Sequence, residues 1–190
     1  NPPKFETEYY WVFFNGDDNL VERGYFSGKN HLGPLVGNAL SGSRRNTVSQ
    51  SMFGSIPYAE ANGREIFRIW GAGKLARQDD EEGAYFSVEH NLFDHADGEG
   101  SEIVSLKSNH NRVVGNTVVD TRGGITIRRG NDNVVKDNVV LGAGVIGAGG
   151  IRLTGERNLV EHNYVSRTEY GIRVMSGEFT GSDLTGQWVP

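Results

Sequence analysis

An internal repeat of about two dozen residues restricts the fold of this chain more than any other feature. Each unit ends in the phrase Asn-x-Val-x-x-Asn-x-Val or a close variant of it. The second Asn of the phrase falls at positions 91, 116, 138 and 163, so that the steps are 25, 22 and 25 residues. Such a period, built from short β-branched runs and Gly turns without a helical pattern, predicts a β-solenoid.

A second set of strands recurs with the same period. It consists of Ile66–Ile69, Ile103–Leu106, Ile125–Ile127, Ile151–Leu153 and Ile172–Val174. In a parallel β-helix, equivalent strands of successive coils pair, and equivalent residues stack at about 4.8 Å. We therefore predict an all-β chain, a right-handed, single-stranded parallel β-helix of about six to seven coils. The recurring Asn is interpreted as a structural ladder at a corner.

Both ends of the repeat look cut. The pattern is already running at Asn19, and a new turn begins at Ser176. Because solenoids need caps over their terminal coils, we expect residues 1–190 to form one β-helix domain that is truncated at both ends. Its open faces would be covered by the rest of a longer chain or by self-association with another copy.

The composition narrows the cellular setting. The chain has no Cys, which excludes disulfides and thiolate metal sites. No apolar run is long enough to span a membrane. The net charge of -5 argues against nucleic acid as a partner, but it leaves a polyanionic sugar open because local charge decides docking. These features fit a secreted or periplasmic protein.

A row of basic residues follows the second strand set. Its members occupy similar places in successive coils, within about a residue of register by the period of the repeat: Arg68, Lys107, Arg128, Arg152 and Arg173. Stacked cations repel one another unless anions lie alongside. One interpretation is structural pairing with nearby glutamates. The other, which we favour for the row as a whole, is a groove that binds the carboxylates of a uronate polymer.

The densest polar cluster, Asp97–Ser108, is followed one coil later by Gly124–Gly130. These segments resemble the patterns Asp-Gly-Glu-x-Glu-Ile-Ile-x-x-Lys-Ser and Leu-x-Leu-Arg-His-Gly of polysaccharide lyase family 6, which contains chondroitinase B and many alginate lyases. Lys107 and Arg128 are separated by 21 residues, as in the family. Further phrases similar to the family are Tyr25–Pro34, Asn62–Gly71 and Gly149–Arg152.

The resemblance implies an enzyme that cleaves an acidic polysaccharide by β-elimination. Lys107 matches the base that removes the C5 proton of a uronate, and Arg128 matches the residue that assists the leaving group. The calcium ligands that the resemblance implies are Asn62, Glu99 and Glu102. The residues that we expect to contact substrate are Arg68, Arg129, Arg152, Arg173 and His95. Alginate is the expected substrate because Gly150-Ile151-Arg152 resembles the alginate-acting members, and dermatan or chondroitin sulfate is the second choice.

Two departures from the family pattern bear on this site. Glu99 and Glu102 are separated by two residues instead of one, and a Gly-containing bulge would be needed to bring both to the outer face. Arg129 stands where the family has His. Two other functions stay open: a hydrolase on the same scaffold, which would need flanking carboxylic acids, and a non-catalytic or truncated carbohydrate-binding module.

Overall fold

The computed structural model describes residues 7–39, 43–71 and 83–175, together with the backbone of two short strands at 178–179 and 188–189. The described residues form strands and turns without a helix. None of them therefore belongs to a helix that could cross a bilayer. Three parallel sheets, each taking one strand from every coil, make up the fold.

The strands follow one another in the order of the coils. The first sheet contains β1 (Val12–Phe14), β4 (Val36–Asn38), β7 (Phe67–Trp70), β10 (Glu102–Lys107), β13 (Gly123–Arg129), β16 (Ala148–Leu153) and β19 (Ile172–Val174). The second contains β2 (Leu20–Glu22), β5 (Thr47–Ser49), β8 (Ser87–Glu89), β11 (Arg112–Val114), β14 (Val134–Lys136) and β17 (Leu159–Glu161). The third contains β3 (Tyr25–Ser27), β6 (Met52–Ile56), β9 (Leu92–Ala96), β12 (Thr117–Val119), β15 (Val139–Leu141) and β18 (Tyr164–Ser166). Strands β20 (Glu178–Phe179) and β21 (Trp188–Val189) form a separate antiparallel pair.

The predicted parallel β-helix is confirmed, with six strands in each of two sheets and seven in the first. Its core is a stack of like residues, as the repeat requires. The central residue of each second-sheet strand is Val, from Val21 to Val160. In the third sheet the rings of Phe26, Phe53 and Phe93 stack with centroids 5.2 Å apart.

The corner between the second and third sheets explains the Asn repeat. One residue per coil there has a positive φ, between 49° and 67°, and these residues are Arg23, Gln50, His90, Gly115, Asp137 and His162. In the last four of these coils the residue that follows is an Asn of the ladder, at positions 91, 116, 138 and 163, whereas Gly24 and Ser51 stand at this place in the first two. The Nδ2 of Asn91 donates to Oδ1 of Asn116 at 3.0 Å, and Asn116 donates in the same way to Asn138. The structural interpretation of the Asn ladder is thus confirmed.

Candidate active site

The outer face of the first sheet carries the predicted basic residues, but not in one column. Strand pairing places Arg68 opposite Ser105, and Ser105 opposite Thr126. Thr126 pairs in turn with Arg152, and Arg152 with Arg173. The prediction of a single basic row was therefore wrong.

Lys107 and Arg128 each lie two residues further along their strands than this column. Lys107 stands opposite Trp70 of β7 and, after a register shift, opposite Arg129 of β13. The period of the repeat could not resolve this difference, because residues two apart point to the same face of a strand. The result is a first column with two short hydroxyl side chains at its centre, beside a second column that holds the lysine.

Three glutamates meet on this face, and one of them was not predicted. Carboxylate oxygens of Glu65, Glu99 and Glu102 lie within 4.8 Å of one another. Glu65 lies two residues before the start of β7 and is 1% exposed, while Glu102 is the first residue of β10 and is 2% exposed. Glu99 accepts hydrogen bonds from the backbone N–H of Gly63 at 2.8 Å and of Arg64 at 3.2 Å. We call these three residues the carboxylate cluster.

A glycine turn brings Glu99 and Glu102 together despite the extra residue between them. Gly98 and Gly100 have φ values of 54° and 77°, a region that favours glycine. A Cβ on Gly98 would lie 2.3 Å from the carbonyl oxygen of Arg64. The pairing of β10 with β13 also shifts register just after Glu102. The glycine turn and the register shift are the kind of irregularity that the extra residue between Glu99 and Glu102 was expected to require.

Basic side chains surround the carboxylate cluster in two groups. Lys107 Nζ lies 3.6 Å from Glu65 Oε1, and Arg68 Nη1 lies 3.8 Å from Glu65 Oε2. Glu102 faces the other group: Arg128 Nη1 lies 3.8 Å from its Oε1, and the guanidinium of Arg152 donates directly to the same oxygen. Basic side chains from four successive strands of the first sheet therefore lie against the carboxylate cluster.

Burial shifts the pKa of one basic and one acidic residue on this face, Lys107 and Glu99. Burial lowers the pKa of Lys107; the neighbouring Glu65 opposes this shift, and Arg128 adds to it. Burial also raises the pKa of Glu99, with the Glu65 carboxylate adding to the effect and the Gly63 N–H opposing it. The ring of Trp70, with its centre 4.6 Å from Lys107 Nζ, covers one side of the ammonium group.

Five buried polar atoms on this face make no hydrogen bond within the part of the chain that the structure describes. They are Glu65 Oε2, Glu102 Oε2, Arg68 Nε, Ser105 Oγ and Thr126 Oγ1. Buried polar atoms in proteins are nearly always satisfied, by water or an ion where not by protein. Two of the five are carboxylate oxygens of the cluster, and an all-oxygen donor set suits calcium or magnesium better than zinc. The residues present thus fit a hard divalent cation.

Two clefts open beside the cluster, and Asn62 lines both. The first, of about 270 Å³, is lined by Asn62, Glu65, Arg68, Trp70, Lys107, Arg128 and Arg129. The second, of about 310 Å³, is lined by Tyr58, Glu60, Ala61, Asn62, Glu99 and Ser101. Asn62 therefore lies at the boundary between the cleft that Glu65 lines and the cleft that Glu99 lines.

The structure brings most of the predicted site residues together, and two lie apart. Arg173 stacks over the ring of Tyr170 at 4.4 Å, one strand beyond Arg152. His95 is exposed in β9 of the third sheet, with Nδ1 2.5 Å from Asp94, and it lines neither cleft. Their assignment as substrate contacts stays a prediction.

Sequence reasoning missed Glu65 and Trp70. Glu65 stands three residues after Asn62, inside a phrase that already resembled the family, so its position was available as a signal. Trp70 alternates with Arg68 along β7 and therefore shares the outer face with it. No local pattern, however, connects Glu65 with Glu99, because they belong to successive coils.

The fold and the site define a parallel β-helix protein with a carboxylate cluster set among basic residues on one sheet. The chain belongs to polysaccharide lyase family 6: the chondroitinase B family model matches residues 1–176.

Solved structures agree with this membership. A family 6 polysaccharide lyase from Pseudopedobacter saltans is 47% identical, with a TM-score of 0.84 over 90% of this chain and 40% of that one. A mannuronic acid-specific family 6 lyase from human gut microbiota is 29% identical, with a TM-score of 0.81 over 93% of this chain and 40% of that one. The alginate lyase AlyGC is 28% identical, with a TM-score of 0.84 over 98% of this chain and 26% of that one.

The chain thus spans about 40% of the length of the first two lyases and about a quarter of AlyGC. No curated protein matches it significantly.

Proposed function

We propose that this chain cleaves a uronate-containing polysaccharide, with alginate as the first choice, by β-elimination. The observation that carries the proposal is the convergence of a largely covered lysine, Lys107, and an arginine, Arg128, from adjacent strands on one cleft beside three carboxylates. The likeness to lyases described as acting on alginate and on mannuronic acid supports the choice of substrate. Dermatan or chondroitin sulfate is the second choice.

Substrate binding would use the positive side chains around the first cleft. Guanidinium groups bind carboxylates through two parallel hydrogen bonds, which fixes the orientation of each sugar. Arg68 and Arg129 line the cleft, and Arg152 with Arg173 continues the first column beyond it. A polyanion could therefore contact successive arginines although the whole chain is acidic.

The elimination itself needs a base and a group that stabilises the departing oxygen. The neutral amine of Lys107 would take the C5 proton of the uronate, and the C5–H electron pair would form the C4–C5 double bond. The C4–O4 bond would break, and the guanidinium of Arg128 would stabilise the charge developing on O4. Burial, which lowers the pKa of Lys107, favours the neutral form that this step requires.

The cation that we propose is Ca²⁺, held by Asn62, Glu99 and Glu102 together with the added Glu65. A bound Ca²⁺ would supply positive charge that neutralises the substrate carboxylate and makes the C5 proton more acidic. The glycine turn at Gly98–Gly100 holds Glu99 and Glu102 on one face for this role. We also propose a secreted or periplasmic location, since a polymeric substrate lies outside the cytoplasm.

The test is the growth of ultraviolet absorbance, since elimination creates a conjugated double bond. Alginate, dermatan sulfate and a neutral glucan would be incubated with the chain, with and without a chelator. The proposal expects a rise on one acidic polymer, suppressed by chelation and restored by Ca²⁺, with the neutral glucan unchanged. A flat trace on all three with folded protein would favour a binding module.

A further inference from the structure

We propose that Arg152 competes with the cation for Glu102 and leaves it for an anionic polymer, so that cation and polymer bind cooperatively. This inference rests on the proposed function, and it gives Arg152 the role of a positioning residue at the carboxylate cluster. The side chain of Arg152 crosses an intervening strand to reach Glu102.

Arg152 and Glu102 lie on strands that are not neighbours. Glu102 opens β10 and Arg152 lies in β16, with β13 between them. Two rungs correspond to roughly 9–10 Å, so the side chain of Arg152 reaches back across β13 to the carboxylate. Its own rung offers a different arrangement, in which it would stand beside Arg173. The side chain of Arg152 can therefore adopt two arrangements, one on Glu102 and one beside Arg173.

The carboxylate of Glu102 faces two guanidinium groups, those of Arg128 and Arg152. Arg128 lies 3.8 Å from the oxygen that Arg152 holds, while the other oxygen of Glu102 accepts no hydrogen bond from the residues that the structure describes. A divalent cation on Glu102 would stand within a few ångströms of both guanidinium groups. Because repulsion between like charges is strong in a buried setting, occupation by the cation would weaken the hold of Arg152, and the reverse.

In the arrangement in which Arg152 holds Glu102, here called the closed arrangement, two hydroxyl groups on this face make no hydrogen bond among the described residues. Ser105 and Thr126, the two hydroxyl residues of the column that lies between Arg68 and Arg152, are 0% exposed and make no hydrogen bond among the described residues. Withdrawal of a long side chain from this face would admit water to them, which offsets the loss of the ion pair. The closed arrangement is therefore one that a competing ligand can displace.

The polymer would favour the open arrangement. Arg173 is exposed and stacks on Tyr170, which fixes it in the rung next to Arg152. With Arg152 turned outward, the two guanidinium groups would form a paired site for a uronate carboxylate. Since binding linkage is reciprocal, a polymer that draws Arg152 away must tighten cation binding by the same factor that the cation tightens polymer binding.

Calorimetric titration with Ca²⁺ tests the competition. The wild-type chain, Arg152→Met and Arg173→Met would each be titrated alone and with an excess of monomeric mannuronate, which has no bond to eliminate. We expect Arg152→Met to bind Ca²⁺ about tenfold more tightly than wild type without the sugar, and the sugar to tighten Ca²⁺ binding by a smaller factor in Arg152→Met than in wild type. Arg173→Met is the matched control in the absence of the sugar, because it removes the same charge one rung away, where no carboxylate contact occurs among the described residues. Its Ca²⁺ affinity without the sugar should change less than about twofold.

Equal Ca²⁺ affinity in wild type and Arg152→Met would overturn the inference. A gain in Ca²⁺ affinity in Arg173→Met as large as the gain in Arg152→Met would also overturn it, because it would show a general effect of removing one positive charge. Arg152→Gln serves as a second variant if the methionine variant does not fold by circular dichroism. The outcome is separable from that of the lyase assay. Elimination without a change in Arg152→Met refutes only the competition, whereas competition without elimination refutes only the lyase.

Discussion

The Asn ladder and the outer face of the first sheet are both columns of buried polar side chains stacked at the spacing of the coils, but they treat hydrogen bonds in opposite ways. In the ladder each amide bonds to the next: Asn116 accepts from Asn91 and donates to Asn138 and to a carbonyl. On the sheet face, Ser105, Thr126 and two glutamates keep polar atoms without hydrogen bonds among the described residues.

This difference indicates that, within the same repeat, the Asn ladder serves stability and the outer face of the first sheet serves function. A ladder whose members satisfy one another contributes to the coil and needs no ligand. A face that gathers three carboxylates among lysine and arginines, and leaves oxygens unbonded, carries an energetic cost that a packed coil does not require. Substitutions in the two regions should therefore affect different measurements.

The largest expected effect is on turnover, at Lys107. Lys107→Met removes the proposed base and should lower the rate of elimination roughly 10²- to 10⁴-fold, with the circular dichroism of the strands unchanged. Lys136→Met, which removes a lysine paired with Glu161 on the second sheet, should retain wild-type turnover. Turnover is followed by ultraviolet absorbance, and a Lys107→Met chain that stays active would remove the central role of this face.

The next effect concerns Glu65, the glutamate that the sequence did not assign. Glu65→Gln keeps the shape of the side chain but removes a charge from the carboxylate cluster, so Ca²⁺ affinity should fall roughly 10- to 100-fold. Calorimetry measures this directly, and Glu89→Gln, on the second sheet beside Arg112, is the control. If Glu65→Gln and Glu89→Gln bind Ca²⁺ equally well, Glu65 is a structural partner of Lys107 and not a ligand.

Thermal or denaturant unfolding measures how much the Asn ladder and the face of the first sheet each contribute to stability. Asn116→Ala leaves ladder partners unsatisfied and should lower the free energy of unfolding by about 2–3 kcal/mol. Thr126→Val replaces a hydroxyl that makes no hydrogen bond to any described residue by a methyl group of similar size, and it should leave the free energy of unfolding within about 0.5 kcal/mol or raise it. A large loss of stability in Thr126→Val would show that its hydroxyl is satisfied, and the contrast between the regions would disappear.

The smallest effect is a shift of pH dependence. Since burial lowers the pKa of Lys107 below its usual 10.5, the neutral amine becomes available at lower pH than in an exposed lysine. The rate should therefore rise with pH and reach half its plateau below pH 10.5. A pH–rate profile at saturating substrate measures the midpoint, and a midpoint at or above that of free lysine would contradict the buried environment.

The sequence predicted the coil well because a repeat samples the same local rule several times. The corner that holds Asn91, Asn116 and Asn138 recurs in each unit, so one misjudged residue does not alter it. The site offers no such redundancy. Lys107, Arg128 and two glutamates could be assigned only by resemblance to a family, and the pleat that places Lys107 two residues beyond the arginine column is finer than the period of the repeat can resolve.

Glu65 is a second residue whose role could not be predicted from the sequence, because its contacts are made between coils. Its neighbours Glu99 and Lys107 lie more than thirty residues away in sequence, and the coil alone brings them together. The Gly98–Gly100 turn, by contrast, was expected because two glycines flank Glu99 and only a bulge could align it with Glu102. Backbone constraints are thus visible in the sequence, whereas contacts between coils are not.

Digestion of alginate in water enriched with oxygen-18, followed by mass spectrometry of the products, distinguishes elimination from hydrolysis. Elimination breaks the C4–O4 bond without adding water, so we expect wild type to form unsaturated ends that carry no heavy oxygen, and Lys107→Met to form none. Saturated products with one heavy oxygen for each bond cleaved would mean hydrolysis, and would contradict the assignment of this face to a lyase.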